Sequence, residues 1–365
     1  MRNRKVFRLF ATALWLLVLL LVVEVFGVVF YRVLPARSKQ YDKDVLFRSV
    51  REAFHPRLWK VKWQSYEPGK SARMERNGVV HKASINSNGF RGPELPEHLE
   101  NETVIACLGG STTVLGNRNE TTYPYRMGIE LRRNHHIKAT VLNCGVAGLL
   151  SSNYMEAAEH LLEVCTPKLV LEYNGVNDIC RRIFAPARKQ LPSWKRLLSR
   201  STTAQLLFRD AFIPSDDTLQ KEINRKITNN LLQVACLLHA KGSRLAVASF
   251  QYPDPEEMSL SQYLFFDQNI RYHWHTEFVS YRQYCRTVDM YNRRIRELAN
   301  KNGFLYIPLS ENAPLSVDHF QDICHLNEEG IAIMATTMAD LVAPLIDGDV
   351  RKNSGRVHQQ TTLPD

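Results

Sequence analysis

The hydrophobic pattern divides the chain at once. From Leu9 to Phe30, sixteen residues are Leu, Val or Phe and a single one, Glu24, is charged. A helix of about 22 residues spans roughly 33 Å, enough for a hydrocarbon core of about 30 Å. Each Leu, Val or Phe favours insertion by roughly 0.3–0.6 kcal/mol against roughly 3 for a central acid, so the sum predicts a transmembrane helix. Arg2, Arg4, Lys5 and Arg8 would also suit a cleaved signal. The apolar run is too long for that, and Val33-Leu34-Pro35-Ala36-Arg37 is a poor cleavage site, so an uncleaved anchor is expected. Arg32, Arg37 and Lys39 load the far flank as well. A short basic tail kept cytoplasmic, with the long remainder outside, is the orientation the pattern favours.

After the anchor (residues 1–37), residues 38–102 read as an extended spacer, punctuated by Pro56, Pro68-Gly69, Asn77-Gly78, Asn88-Gly89 and Pro93. Asn77-Gly78 between short apolar pieces predicts a hairpin. From residue 103 strand-like and helix-like patterns alternate. Strands are predicted at 103–108, 140–143, 168–173, 244–250 and 304–307. Helices are predicted at 122–133, 153–164, 218–240, 281–302 and 328–346, with Gly303 closing the fourth. Five strands separated by helices argue for an α/β fold with a parallel sheet covered on both faces. In such sheets, sites form where loops leave the carboxyl ends of strands. The segment from about 180 to 280 is an insertion; its Trp194, Tyr263, Phe265, Phe266, Tyr272 and Trp274 suit a cap or substrate cleft, or its own core. Residues 348–365 read as a disordered tail.

Composition adds limits. Among 365 residues the formal charge is +10, which fits anionic partners such as phospholipid headgroups or acidic polysaccharides. Nucleic acid is excluded as a partner class by the lack of zinc-finger spacing, RNA-binding aromatic signature or basic zipper. The seven cysteines form no CxxC pair and no Cys/His cluster, so no metal is expected. Cys107 and Cys144 lie in apolar runs, as buried thiols do. Cys180 and Cys324 flank two of the motifs below, which leaves room for a disulfide without requiring one.

Four short motifs carry the chemistry. Gly109-Gly110-Ser111 follows the first strand, and two glycines permit a sharp exit beside the hydroxyl. A phosphate loop would need a lysine and a glycine spacing that are absent. Asn143-Cys144-Gly145-Val146-Ala147-Gly148 closes the second strand, and Gly175-Val176-Asn177-Asp178 follows the third. Asp322-Ile323-Cys324-His325 sets a carboxylate three residues before an imidazole, and a helical turn would place both on one side. Asp318-His319 is a competing pair, but adjacent residues point apart. The Asn177 amide and the Gly148 N–H could donate to an oxyanion. His273-Trp274-His275 lacks a third ligand and reads as structural, and His135-His136 as solvated loop.

In order and spacing these motifs resemble blocks I, II, III and V of the SGNH (GDSL-like) hydrolases, over residues 103 to 345. The resemblance implies a flavodoxin-like SGNH fold spanning 103–347. It also implies Ser111 as nucleophile, with Asp322 and His325 completing a triad. The oxyanion hole would be formed by Ser111, Gly148 and Asn177, and Gly109, Gly110, Asn143 and Asp178 would be supporting. Block I usually reads Gly-Asp-Ser, and Gly110 departs from it. Ile85-Asn86-Ser87-Asn88-Gly89-Phe90-Arg91-Gly92 resembles a run that precedes block I in membrane-anchored bacterial relatives. The implied activity is cleavage of an ester-linked acyl group, such as acetyl, from a glycan or lipid, without a cofactor. An O-acyltransferase, or a non-catalytic glycan-binding or assembly protein, is the alternative on the same fold.

Overall fold

In a computed structural model of the chain, which describes residues 2–36, 66, 68–69, 71–76, 79–99, 102–199, 201–208, 212–274, 276, 279–302 and 304–358, the alternating pattern resolves into a parallel sheet. Asn77-Gly78, Gly303, His275, the expected spacer from 38 to 65 and the last residues of the expected tail, 359–365, lie outside the described residues. Two units are formed: one from Met1–Tyr41, Cys180–Leu219 and Asp254–Arg286, the other from Asp42–Ile179, Gln220–Pro253 and Thr287–Asp365.

The strands, all in the second unit, are β1 (Ser71–Arg76), β2 (Val79–Ser84), β3 (Thr103–Gly109), β4 (Ala139–Gly145), β5 (Leu169–Tyr173), β6 (Arg244–Ala248) and β7 (Leu305–Ile307). The helices are α1 (Arg2–Ala36), α2 (Tyr123–Asn134), α3 (Tyr154–Val164), α4 (Ser193–Leu198), α5 (Thr202–Leu207), α6 (Asp216–Ile223), α7 (Asn229–Ala240), α8 (Leu260–Gln268), α9 (Tyr281–Asn302) and α10 (Glu328–His358), with single turns between some of them.

β1 and β2 form the expected antiparallel hairpin, Arg76 opposite Val79. The main sheet is parallel throughout, in the order β4-β3-β5-β6-β7. Counted within the sheet this is 2-1-3-4-5, the flavodoxin-like order, whose direction reverses between its first and third strands. Strands buried on both faces should read as unbroken apolar runs, and Val104–Leu108 is buried at every position. α2 packs on α10 and α3 on α7, the pairing that right-handed crossovers impose on this strand order.

Two helices depart from expectation. The helix expected at 218–240 is interrupted by a π turn, Asn224–Thr228. There the Thr228 hydroxyl donates to the Asn224 carbonyl (3.1 Å), and the Asn230 amide donates to both the Lys226 carbonyl and the Ser151 hydroxyl. Side chains that bond into the ladder are a known cause of such irregularity. α10 runs on to His358, past the end of the apolar pattern at Ile346. Its Glu328–Ile346 stretch has a mean hydropathy of 1.4, enough to pass as a membrane span. It buries Met334, Met338, Val342 and Ile346 and lies on α2, so it is a core helix.

In the first unit, α1 carries Phe10–Phe30, 21 residues of mean hydropathy 2.8, long and apolar enough to cross a membrane. α5 and α8 pack against it. Phe266 stacks on Tyr281 at 5.5 Å, with Tyr263 edge-on to the same ring. A fully buried Arg271–Asp267 ion pair (3.0 Å) lies in this unit, Asp267 also accepting the Tyr281 N–H. Phe266 is therefore core of the insertion, whereas Trp194 is exposed. None of the seven cysteines is in a disulfide.

Candidate active site

Three loops converge because their strands end in register. Gly109 at the end of β3 pairs with Gly145 of β4 on one side and Tyr173 of β5 on the other. Ser111, Gly148 and Asn177 follow those ends by a few residues, at the point where the strand order reverses, and such a reversal opens a crevice at the carboxyl edge.

Ser111 opens a single helical turn, Ser111–Val114, directly after Gly110. Both glycines stand at close approaches. A Cβ at Gly109 would lie 2.3 Å from the Thr113 hydroxyl and 2.4 Å from the Tyr173 carbonyl. A Cβ at Gly110 would lie 2.6 Å from the Asn177 amide nitrogen. The glycine that departs from the usual block I pattern is thus what allows that amide to stand against the backbone leading into Ser111. Gly148 sits at φ 81 in the turn closed by Leu149 N–H to the Val146 carbonyl (3.0 Å), a left-handed position suited to glycine.

His325 brings the distant part of the sequence to Ser111. Its Nε2 lies 2.8 Å from Ser111 Oγ, and its Nδ1 lies 2.8 Å from Asp322 Oδ2 and 2.9 Å from Oδ1. All three side chains are buried, each about 6% exposed. Asp322 and His325 do not share a helical turn, as their spacing suggested. The segment is a bend in which Asp322 Oδ1 accepts the backbone N–H groups of Cys324 (3.0 Å) and His325 (2.8 Å). A carboxylate that folds back on its own backbone in this way is held in place beside the imidazole. The competing His319 accepts the Ser316 N–H on Nδ1 (2.9 Å) and closes a local turn.

The supporting residues brace these loops. Asn143 donates to the Thr113 carbonyl (3.1 Å) and accepts the Gly145 N–H (3.1 Å), tying the second loop to the first. Asp178 accepts the N–H and the hydroxyl of Ser151, both at 2.8 Å, tying the third loop to the second. Asn177 Nδ2 points to Asn174 Oδ1 at 3.5 Å.

Sequence reasoning missed several braces. Asn174 donates to the Leu149 carbonyl (3.0 Å) and to the Tyr154 hydroxyl (2.9 Å). Arg91, in the segment before the first strand, is buried; its guanidinium donates to the carbonyls of Val114 and Gly116, and its backbone pairs with Asn143. Burial lowers its pKa to about 10. Tyr66 accepts the Ala147 N–H (2.9 Å), and burial pushes its phenol up to about 12. These contacts join residues far apart in the chain, so no local pattern announces them. A cavity of about 490 Å³ lined by Phe90, Arg91, Tyr125, Arg132 and Asn143 lies nearby, and Ser111 is not part of its lining.

Glu172, inside β5, is fully buried and accepts the Tyr154 hydroxyl at 2.5 Å. Desolvation raises its pKa from 4.5 to about 8, the Tyr154 bond opposing the shift. The folded chain therefore holds this proton between pH 4.5 and about 8, where the unfolded chain releases it, and stability falls as pH rises through that window. Glu172→Gln should remove this loss. Urea midpoints of variant and wild type are expected to diverge in the variant's favour from acid to pH 8; parallel curves would refute it.

Among the described residues, Asp322, Cys324 and His325 form the one group able to hold a cation, their ligand atoms within 4.8 Å of one another. Asp322 Oδ1 is already engaged by two N–H groups and His325 Nε2 faces Ser111, so the geometry suits proton transfer better than ligation.

No family model and no curated protein matches the chain. Solved structures do. An acetyl xylan esterase variant from Geobacillus stearothermophilus aligns at 14% identity and a TM-score of 0.42, over 66% of this chain and 94% of its own. A GDSL-like lipase from Bacteroides thetaiotaomicron gives 14% and 0.40, over 70% and 93%. TesA gives 14% and 0.40, over 66% and 99%. At such identities and scores the chemistry rests on this chain's own geometry.

Proposed function

We propose that this chain is a serine esterase or acylhydrolase of the SGNH (GDSL-like) type. One observation carries the reading: the unbroken line of hydrogen bonds from Asp322 through His325 to Ser111. In the proposed reaction His325 Nε2 takes the proton from Ser111 Oγ as the oxygen attacks an ester carbonyl. Asp322 holds the Nδ1 proton and stabilises the imidazolium. The Ser111 and Gly148 N–H groups and the Asn177 amide donate to the oxyanion. His325 then returns the proton to the departing alcohol, and a water activated the same way releases the acyl group from Ser111.

The expected substrate is an acylated glycan or lipid, with acetyl among the groups such a site would remove. The charge of +10 suits an anionic glycan or lipid surface. α1 supports a single-pass anchor, and its basic N-terminal flank supports placing the rest of the chain outside the cytoplasm. Burial of Ser111 and His325 to about 6% exposure favours exclusion of bulk water, which gives an O-acyltransferase reading weight beside the hydrolase. Product that forms only with an added acceptor hydroxyl would decide for transfer.

Asn177→Ala tests the oxyanion assignment. Turnover of an acetyl ester should fall by roughly 10²–10³ with the circular dichroism unchanged. Unchanged turnover would remove Asn177 from the site.

A further inference from the structure

The apolar helix α1 contains a carboxylate, and the structure shows what holds it. Glu24 accepts the Ser201 hydroxyl (2.6 Å) and the backbone N–H groups of Thr202 (2.6 Å) and Thr203 (3.2 Å). These are the free N–H groups at the start of α5, so Glu24 and Ser201 cap that helix between them, Ser201 accepting the Ala204 N–H. The Thr203 hydroxyl donates to the Val23 carbonyl (3.2 Å). A Cβ at Gly27 would lie 2.7 Å from the same hydroxyl. One face of α1, from Val23 to Gly27, is therefore shaped for the first turn of α5.

Depth follows from the helix rise. Glu24 precedes Phe30, the end of the apolar stretch, by six residues, about 9 Å along the axis. If Phe10–Phe30 spans the hydrocarbon, the start of α5 lies below the level at which α1 leaves it. A lone carboxylate there would be expensive, and its partners are supplied by an element that must enter the bilayer to reach it.

The surface of that element fits such a position. Trp194, Leu197 and Leu198 on α4 are exposed, as are Leu207 and Phe208 at the end of α5. Leu260, at the start of α8, which also packs on α1, is 66% exposed. Large apolar side chains left exposed, five of them within one short stretch of chain, suit a surface that meets an apolar partner. Lys195 sits over the Trp194 ring at 5.5 Å and Arg196 is exposed beside it. Aromatic and basic residues together are the composition of a headgroup boundary.

We propose that residues 193–199 and 201–208, with Leu260, form a second membrane contact: short helices seated in the headgroup and acyl boundary of the bilayer that α1 spans, and held there by Glu24. The inserted segment is then a membrane-seated platform. The proposal rests on reading α1 as a spanning helix.

The test uses the full chain in phosphatidylcholine vesicles containing anionic lipid, with and without bromine high on the acyl chains, in wild type, Trp15→Phe and Trp194→Phe. The emission lost in each variant reports that residue. For an apolar face sunk about 5–10 Å into the boundary, brominated lipid should quench the Trp194 component by about half. Quenching of both Trp15 and Trp194 supports the proposal. Quenching of Trp15 alone overturns it while leaving α1 in the membrane, and is also what a second copy of the chain covering this face would give. Quenching of neither shows that α1 does not span, and the proposal falls with that reading. Glu24→Ala should reduce the Trp194 quenching and leave that of Trp15; equal quenching in both proteins would deny Glu24 its positioning role.

Discussion

Ser111→Ala is expected to lower ester turnover by about 10⁴–10⁶-fold, to the residual level that binding and oxyanion donors alone sustain. The size of the effect follows from the proposed mechanism. Ser111 Oγ is the atom His325 Nε2 faces at 2.8 Å, and nothing else in the bond line is a nucleophile. Cys324 is the one rival on chemical grounds. Its Sγ lies 3.5 Å from His325 Nδ1, 3.5 Å from Asp322 Oδ1 and 4.0 Å from His325 Nε2, so Ser111 Oγ, at 2.8 Å, is the atom better placed for Nε2. Removing one buried oxygen should leave the fold unchanged. Initial rates on an activated acetyl ester, with thermal unfolding measured in parallel, check the expectation. A loss of less than tenfold would exclude Ser111 as nucleophile.

Asp322→Asn should cost about 10⁴ in kcat, for a different reason. The substituted amide keeps an oxygen, so the N–H groups of Cys324 and His325 can still be accepted and the bend should persist. What changes is the other arm. An NH₂ group facing His325 Nδ1 favours the tautomer with the proton on Nε2, and a protonated Nε2 cannot take the Ser111 proton. The variant should fold like wild type and fail at chemistry, with kcat falling and KM little changed. An equal loss in stability and rate would point to Asp322 as a structural turn residue.

Much of the main sheet was legible because its strands are buried on both faces: runs such as 103–108 and 169–173 have no polar alternation to confuse the reading. Glu172 is the exception, a carboxylate placed in such a run without local warning. Candidate residues were legible for a related reason, since short Gly-containing motifs at strand ends fall where parallel sheets put loops. The geometry between them was not. A spacing of three suits both a helical turn and a side chain folded onto its own backbone, and only the structure shows that Asp322 takes the second form. Arg91, Tyr66 and Asn174 act through contacts that no window of sequence contains. Glu24 read as a tolerated blemish in an apolar helix; its partner lies 177 residues away. The Asn224–Thr228 π turn likewise depends on side chains bonding within and beyond the helix, which periodicity does not register.

The central claim is that His325 activates Ser111, and covalent labelling tests it most directly. The chain in detergent, with its Ser111→Ala and His325→Ala variants, would be treated with a fluorophosphonate probe and digested for mass spectrometry. A single adduct on Ser111 in the wild type, lost in both variants, is the predicted result. A folded wild type that takes no label, or labels equally in the Ser111→Ala variant, would contradict it.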